Sequence, residues 1–209
     1  MSLLNTFKRA LVLAPHTDDE FGCAGTVIRL KDAGVEVKYV AFSDCKESIP
    51  AGYDEDTLVR ECNSCLSVMG LTPMIYRFPV RRFTEHRQDI LEEMVKYRKE
   101  INPDLVLLPS GFDRHQDHAV IAAEGFRAFK HCTILGYELP QNIVSFNHGA
   151  FIALSEDVMD RKIAALKEYK SQAFRPYASE EFIRGLATVR GVQIGVKYAE
   201  AFEMIRLTA

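Results

Sequence analysis

The stretch Ala10-Leu11-Val12-Leu13-Ala14-Pro15-His16-Thr17-Asp18-Asp19-Glu20 decides how this chain folds. Its first half is an unbroken apolar run of strand length. Its second half sets one imidazole and three carboxylates side by side, so the strand delivers polar groups to one rim of a sheet. Groups so close repel one another unless a cation holds them, and a divalent metal is the simplest such cation. A second cluster, Asp113-Arg114-His115-Gln116-Asp117-His118, follows another apolar run, Leu105–Leu108.

Outward from the first stretch, apolar runs alternate with segments of helical period. Strands are expected at Ala10–Ala14, Val35–Phe42, Met74–Phe78, Leu105–Leu108 and Thr133–Tyr137. Helices are expected at Gly22–Ala33, Asp56–Met69, Glu85–Ile101 and His118–Phe129, the third closed by Asn102-Pro103. This alternation predicts an α/β fold with a mostly parallel sheet and helices on both faces. Right-handed crossovers favour strand order 3-2-1-4-5, which makes strands 1 and 4 neighbours across a topological switch point. Both polar clusters then meet in one crevice. The last third adds a strand at Gly149–Leu154, a helix at Glu156–Tyr169 capped by Ser155, a helix at Ser179–Thr188 and an extended segment at Val189–Gly195.

With 209 residues and 47% hydrophobic content, the chain fills one core but not two comfortable ones, so residues 1–209 are read as one domain. A net charge of -3 without basic runs argues against nucleic acid, and no apolar stretch is long enough to span a membrane. Five cysteines and no secretory signal pattern favour a reducing, cytoplasmic setting. Cys62-Asn63-Ser64-Cys65 reads as two small residues on a helix face rather than a redox pair or a zinc half-site. The oligomeric state stays open, a homo-oligomer included.

A catalytic zinc takes three N or O ligands and leaves one position for water. His16, Asp19 and His118 form such a set. Asp18 is then free to act as general base, His115 to stabilise an oxyanion and protonate a leaving amine, and Asp117 to orient His115. Asp44, after the second strand, and Asp113 and Arg114, before the second His pair, are candidates for substrate contact. Glu20 reads as a helix-start or supporting acid.

These motifs resemble the LmbE-like (PIG-L) N-deacetylase family, with its A-H-P-D-D-E or P-H-P-D-D-E and H-x-D-H patterns. The resemblance extends to Gly22-Cys23-Ala24-Gly25-Thr26, the Arg60-Glu61 helix, Lys170-Ser171-Gln172, Arg190-Gly191 and Tyr198-Ala199-Glu200-Ala201-Phe202, nearly the whole chain. It implies a Rossmann-like three-layer sandwich and hydrolysis of an N-acyl amino sugar, such as an N-acetylglucosamine derivative, or of a related small amide. It also implies Zn2+ or another divalent metal on His16, Asp19 and His118, Asp18 as base, His115 as electrophile with Asp117 behind it, and Arg60 near the substrate. Thr17 stands where the family usually has Pro. Two alternatives remain: an amidase acting on a thiol conjugate or another non-sugar amide, and a non-hydrolytic nucleotide- or sugar-binding protein. The nucleotide reading is weakened by three carboxylates where a pyrophosphate would approach, and by the absence of G-x-G-x-x-G.

Overall fold

The computed structural model describes residues 3–208. The chain runs β1 (Arg9–Ala14), α1 (Ala24–Asp32), β2 (Glu36–Ala41), α2 (Thr57–Val68) and β3 (Pro73–Ile75), then α3 (Arg87–Ile101), β4 (Leu105–Pro109), α4 (Gln116–Ala128) and β5 (Thr133–Tyr137). It closes with β6 (Ala150–Leu154), α5 (Glu156–Leu166), α6 (Glu180–Val192) and β7 (Tyr198–Arg206). The sheet order is β3-β2-β1-β4-β5-β7-β6, so the expected 3-2-1-4-5 core is present, extended by β7, antiparallel to β5, and by β6, antiparallel to β7.

Alternation along β1 explains the layering. Ala10, Val12 and Ala14 face a core completed by α1, α2, α5 and α6, whereas Leu11 and Leu13 face a second core built with α3 and α4. Asp104 fixes the register at the start of β4, accepting from the Lys8 and Arg9 amides at 2.9 and 3.1 Å. Asn102, in the left-handed region at φ 48°, ends α3. Because β1 pairs in parallel with both β2 and β4, the crevice at its carboxyl end lies where the strand order reverses.

The C-terminal third departs from expectation in two places. Val189–Gly195 is not extended: α6 continues to Val192, with Val189 and Val192 on its exposed side. Their β-branching reads as strand, but the helical turn costs little there because nothing packs against them. The strand instead lies at Tyr198–Arg206, between β5 and β6. Its Ala-Glu-Met content favours helix, and pairing on both edges overrides that preference.

Glu200 shows what β7 contributes. Its buried carboxylate accepts from the Gly25 and Thr26 amides at 2.8 and 2.7 Å, from Thr26 Oγ1 at 2.6 Å and from Lys162 Nζ at 2.7 Å. The N-terminus of α1, where a dinucleotide fold would bind pyrophosphate, is therefore filled by the chain's own anion. A Cβ at Gly25 would stand 2.6 Å from Leu154 Cδ1 and 2.9 Å from Glu200 Oε1, which accounts for the glycine.

Candidate active site

The carboxyl end of β1 carries His16, Asp18 and Asp19, and the start of α4 carries His115, Asp117 and His118. The two clusters meet. His118 Nε2 lies 3.1 Å from His16 Nδ1, and Asp19 Oδ2 lies 3.4 Å from each of these nitrogens. Three donors at the corners of a tetrahedron with bonds of 2.0–2.1 Å would be about 3.3 Å apart, so the spacing fits a metal such as zinc. The ring nitrogens of His16, His115 and His118 also fall within 4.8 Å of one another, which makes a second possible donor set.

Each donor is held from behind. Asp117 Oδ2 lies 3.0 Å from His16 Nε2 and also accepts from the Arg81 amide at 2.6 Å. Asp113 Oδ2 lies 2.8 Å from His118 Nδ1, while its Oδ1 accepts from the His115 amide at 2.8 Å. Asp19 Oδ2 accepts from the His16 amide at 2.7 Å. A carboxylate behind a ligating imidazole fixes its tautomer and raises its basicity. These partners change two expectations. Asp117 backs His16, not His115, because the first turn of α4 points its side chain toward β1. Asp113 is buried behind His118 and is absent from the cavity wall.

Charges follow the same geometry. Burial alone would lower the His16 pKa, but hydrogen bonds to Asp117 and Asp19 raise it well above the ordinary value. Burial would raise Asp19, yet His118 and His16 bring it down to about 2. Asp18 lines the cavity without a side-chain partner among the described residues. Burial and the Asp19 charge raise its pKa, against smaller pulls from His16 and Arg175. His115 is lowered, first by burial and then by the other two imidazoles. Its Nδ1 accepts from the Asp117 amide at 3.2 Å, which leaves the neutral ring's proton on Nε2.

Glu20 lies in the first turn of a short 3-10 helix, Asp19–Gly22, and is buried beneath the site. It meets Tyr39 Oη at 2.8 Å, Tyr169 Oη at 2.5 Å and Cys65 Sγ at 3.0 Å, and burial raises its pKa to about 7. Tyr169 also donates to the Thr17 carbonyl, and its single proton cannot serve both acceptors. A protonated Glu20 completes the chain Glu20 to Tyr169 to Thr17. The Thr17 hydroxyl itself is buried without a partner among the described residues.

The cavity over these groups measures about 350 Å³. Its wall includes Cys45, Ser48, Arg81, Gln141, Asn142, Gln172, Arg175 and Tyr177. Of the four substrate-contact candidates, none lines it. Arg60 is exposed and engaged by Asp54 and Asp56, Asp44 faces Arg77 at 3.6 Å, and Arg114 is exposed. It is the neighbour of Arg60 that works inward: Glu61 accepts from the Ser171 amide at 2.8 Å and from its hydroxyl at 2.6 Å. This clamp brings the following Gln172, Arg175 and Tyr177 to the cavity. Ser171-Gln172 was legible as a motif, whereas Arg81, Arg175 and Gln141 sit in loops whose sequence reads as solvated turn.

The family described as GlcNAc-PI de-N-acetylase matches residues 11–129, a span that contains both clusters. The chain belongs to this PIG-L family. An Escherichia coli relative, the uncharacterized deacetylase YaiS, is 28% identical over 179 residues, covering 82% of this chain and 95% of YaiS. Diacetylchitobiose deacetylase of Thermococcus kodakarensis is 23% identical over 232 residues, covering 96% of this chain and 84% of its own. The solved N,N'-diacetylchitobiose deacetylase of Pyrococcus horikoshii superposes with a TM-score of 0.79 at 22% identity, covering 94% of this chain and 83% of its own. GalB of Pseudomonas putida, a 4-carboxy-2-hydroxymuconate hydratase, also gives 0.79 at 19% identity over 97% of this chain and 98% of its own. At such identity the structures establish the PIG-L fold and not the reaction.

Proposed function

We propose that this PIG-L protein, acting as one domain over residues 1–209, is a zinc-dependent N-deacetylase. It would remove an acyl group, acetyl in the simplest case, from an N-acyl amino sugar or related small amide. The observation that carries the reading is the convergence of His16, Asp19 and His118, with Asp18 lining the cavity beside them. Those three side chains would hold the cation, which when bound supplies a Lewis acid and water of lowered pKa.

The remaining steps belong to the chain's own groups. Asp18 accepts the proton of the water that attacks the amide carbon, and its raised pKa suits both taking and returning that proton. His115, neutral with its proton on Nε2, donates to the carbonyl oxygen as negative charge develops there. Because His115 is depressed, the proton for the leaving amine comes from Asp18 rather than from an imidazolium. The products are a carboxylate and a free amine.

The deacetylase names of the E. coli and Thermococcus relatives support the amide reaction, and the second name supports an acetylated sugar as substrate class. A non-sugar amide, thiol conjugates included, needs the same chemistry. Nucleotide binding is disfavoured by Glu200 at the α1 N-terminus. Among the described residues no helix is long and apolar enough to cross a membrane. All five cysteines are free, which supports a reducing cytoplasmic location. The test is Asp18→Asn: acetate release from N-acetyl sugars should fall by about 10²–10⁴-fold with metal content unchanged. Wild-type turnover in that variant would refute the assignment.

A further inference from the structure

Strand β7 carries a second carboxylate, Glu203, that the reaction itself does not touch. β5 and β7 change register between Ile134 and Leu135, so Gly136 pairs with Glu203 and Tyr137 with Phe202. Continued from Ile134 and Arg206 without that irregularity, the ladder would set Glu203 opposite Tyr137, whose ring lies in the core covered by α1 and α5. A slip of one residue exchanges the two faces of a strand. The irregularity therefore gives that core Phe202, which is fully buried, and turns Glu203 to the other face, toward the end of β4. Bulges that re-aim a side chain in this way are over-represented beside active sites.

There Glu203 clamps a turn. Its Oε2 accepts from Ser110 Oγ at 2.7 Å and from the Gly111 amide at 2.8 Å. Ser110 Oγ in turn accepts from the Phe112 amide at 3.1 Å, and the Asp113 amide donates to the Ser110 carbonyl at 3.0 Å. The approach requires Gly136, where a Cβ would stand 2.9 Å from Ser110 Cα and 3.2 Å from Glu203 Oε2. The turn so held ends at Asp113, whose carboxylate lies 2.8 Å from His118 Nδ1. A continuous chain of hydrogen bonds thus runs from Glu203 through Ser110 and Asp113 to His118. Gly111 is exposed and water would satisfy its amide, so pairing alone does not call for a carboxylate at this place.

We propose that Glu203 is a positioning residue of the metal centre. Through Ser110 it fixes the turn that presents Asp113 to His118, and with it the tautomer and direction of the His118 ring. The proposal rests on His118 as a metal ligand, which is part of the deacetylase reading. An imidazole that faces a carboxylate at Nδ1 keeps its proton there and offers Nε2 to a cation. Without the clamp, Asp113 samples more directions and holds the ring less firmly. The effect is smaller than that of removing Asp113 itself, which stands one link nearer the ligand.

Two measurements on the full chain test it: zinc affinity in competition with a chromogenic chelator, and the nitrogen NMR spectrum of the histidine rings before zinc is added. Glu203→Ala should weaken zinc binding about three- to tenfold, less than the loss expected when the carboxylate touching a ligand is removed. Glu203→Gln, whose amide oxygen still accepts from both donors, should stay within about twofold of wild type. Ser110→Ala breaks the same link from its other end, so the double variant should lose little more affinity than either single one, whereas independent sites add. In metal-free wild type the His118 proton should sit on Nδ1, and Glu203→Ala should mix the two tautomers. A residue that only stabilised the fold would lower the melting temperature and leave both readouts unchanged. Zinc affinity of Glu203→Ala within about twofold of wild type, equal losses in Glu203→Ala and Glu203→Gln, additive losses with Ser110→Ala, or an unchanged His118 tautomer would overturn the proposal. Acetate release by zinc-loaded wild type is followed separately. Zinc affinity that depends on Glu203, without acetate release from any N-acetyl sugar, would sink the deacetylase reading and leave the positioning role standing.

Discussion

The floor of the active site and its wall are built on different principles. On the floor, His16, Asp19 and His118 are carried by the end of β1 and the start of α4, and each is locked by a second group. The wall is assembled largely from loops, and its two arginines are half or fully exposed with no carboxylate partner among the described residues. A floor that must hold a cation gains from rigidity and paired charge. A wall that must admit varied substrates gains from unpaired donors on replaceable loops. The same fold is found in a deacetylase of Pyrococcus horikoshii and a hydratase of Pseudomonas putida.

Substitutions that break the floor should outweigh all others, beginning with the loss of hydrolysis in Asp18→Asn. Next come the backing carboxylates. Asp117→Asn and Asp113→Asn should each weaken metal affinity by about 10–100-fold in a competition titration with a chromogenic chelator. Asp117→Asn should have a further consequence: it also loosens the Arg81 amide, so floor and wall fail together. Asp113→Asn, whose carboxylate meets His118, the His115 amide and Asn142 rather than the Arg81 amide, should spare sugar affinity in metal-free protein. Equal effects of both on sugar affinity would remove the distinction.

An effect on stability alone lies beneath the floor, at Glu20. Its folded pKa of about 7 stands above the 4.5 of an ordinary glutamate, so the unfolded chain releases this proton first as pH rises. The group's contribution to stability is complete below pH 4.5 and is lost as pH climbs through about 7. Glu20→Gln keeps a neutral side chain at every pH. The wild-type melting temperature should therefore fall relative to this variant between pH 5 and pH 8, by a difference on the order of 3 kcal/mol in stability. A constant offset across that range would mean that Glu20 stays ionised in the folded protein.

The floor was legible because its residues occupy two short contiguous motifs at strand ends, where topology alone says they meet. The parallel core order was legible for the same reason, since period-2 and period-3.6 patterns separate cleanly from Ala10 to Tyr137. Orientation within a motif was not. Whether Asp117 turns toward His115 or His16 depends on the first turn of α4 and on the loop that offers it the Arg81 amide. The wall was hidden because its residues come from separate loops, and a positive φ at Arg81 leaves no mark in the sequence. Strand β7 was hidden by its own composition: Glu200 reads as a helix former until its carboxylate is seen capping α1.

The most direct test of the central claim is metal stoichiometry in purified variants, measured by elemental analysis after equilibration with zinc. Wild type, Asp18→Asn and His115→Ala should each retain one zinc per chain, while Asp19→Ala and His118→Ala should retain almost none. If His115→Ala lost the metal and Asp19→Ala kept it, the cation would be held by the three imidazoles of His16, His115 and His118. Asp19 would then be no ligand and His115 no electrophile, which contradicts the account at its centre.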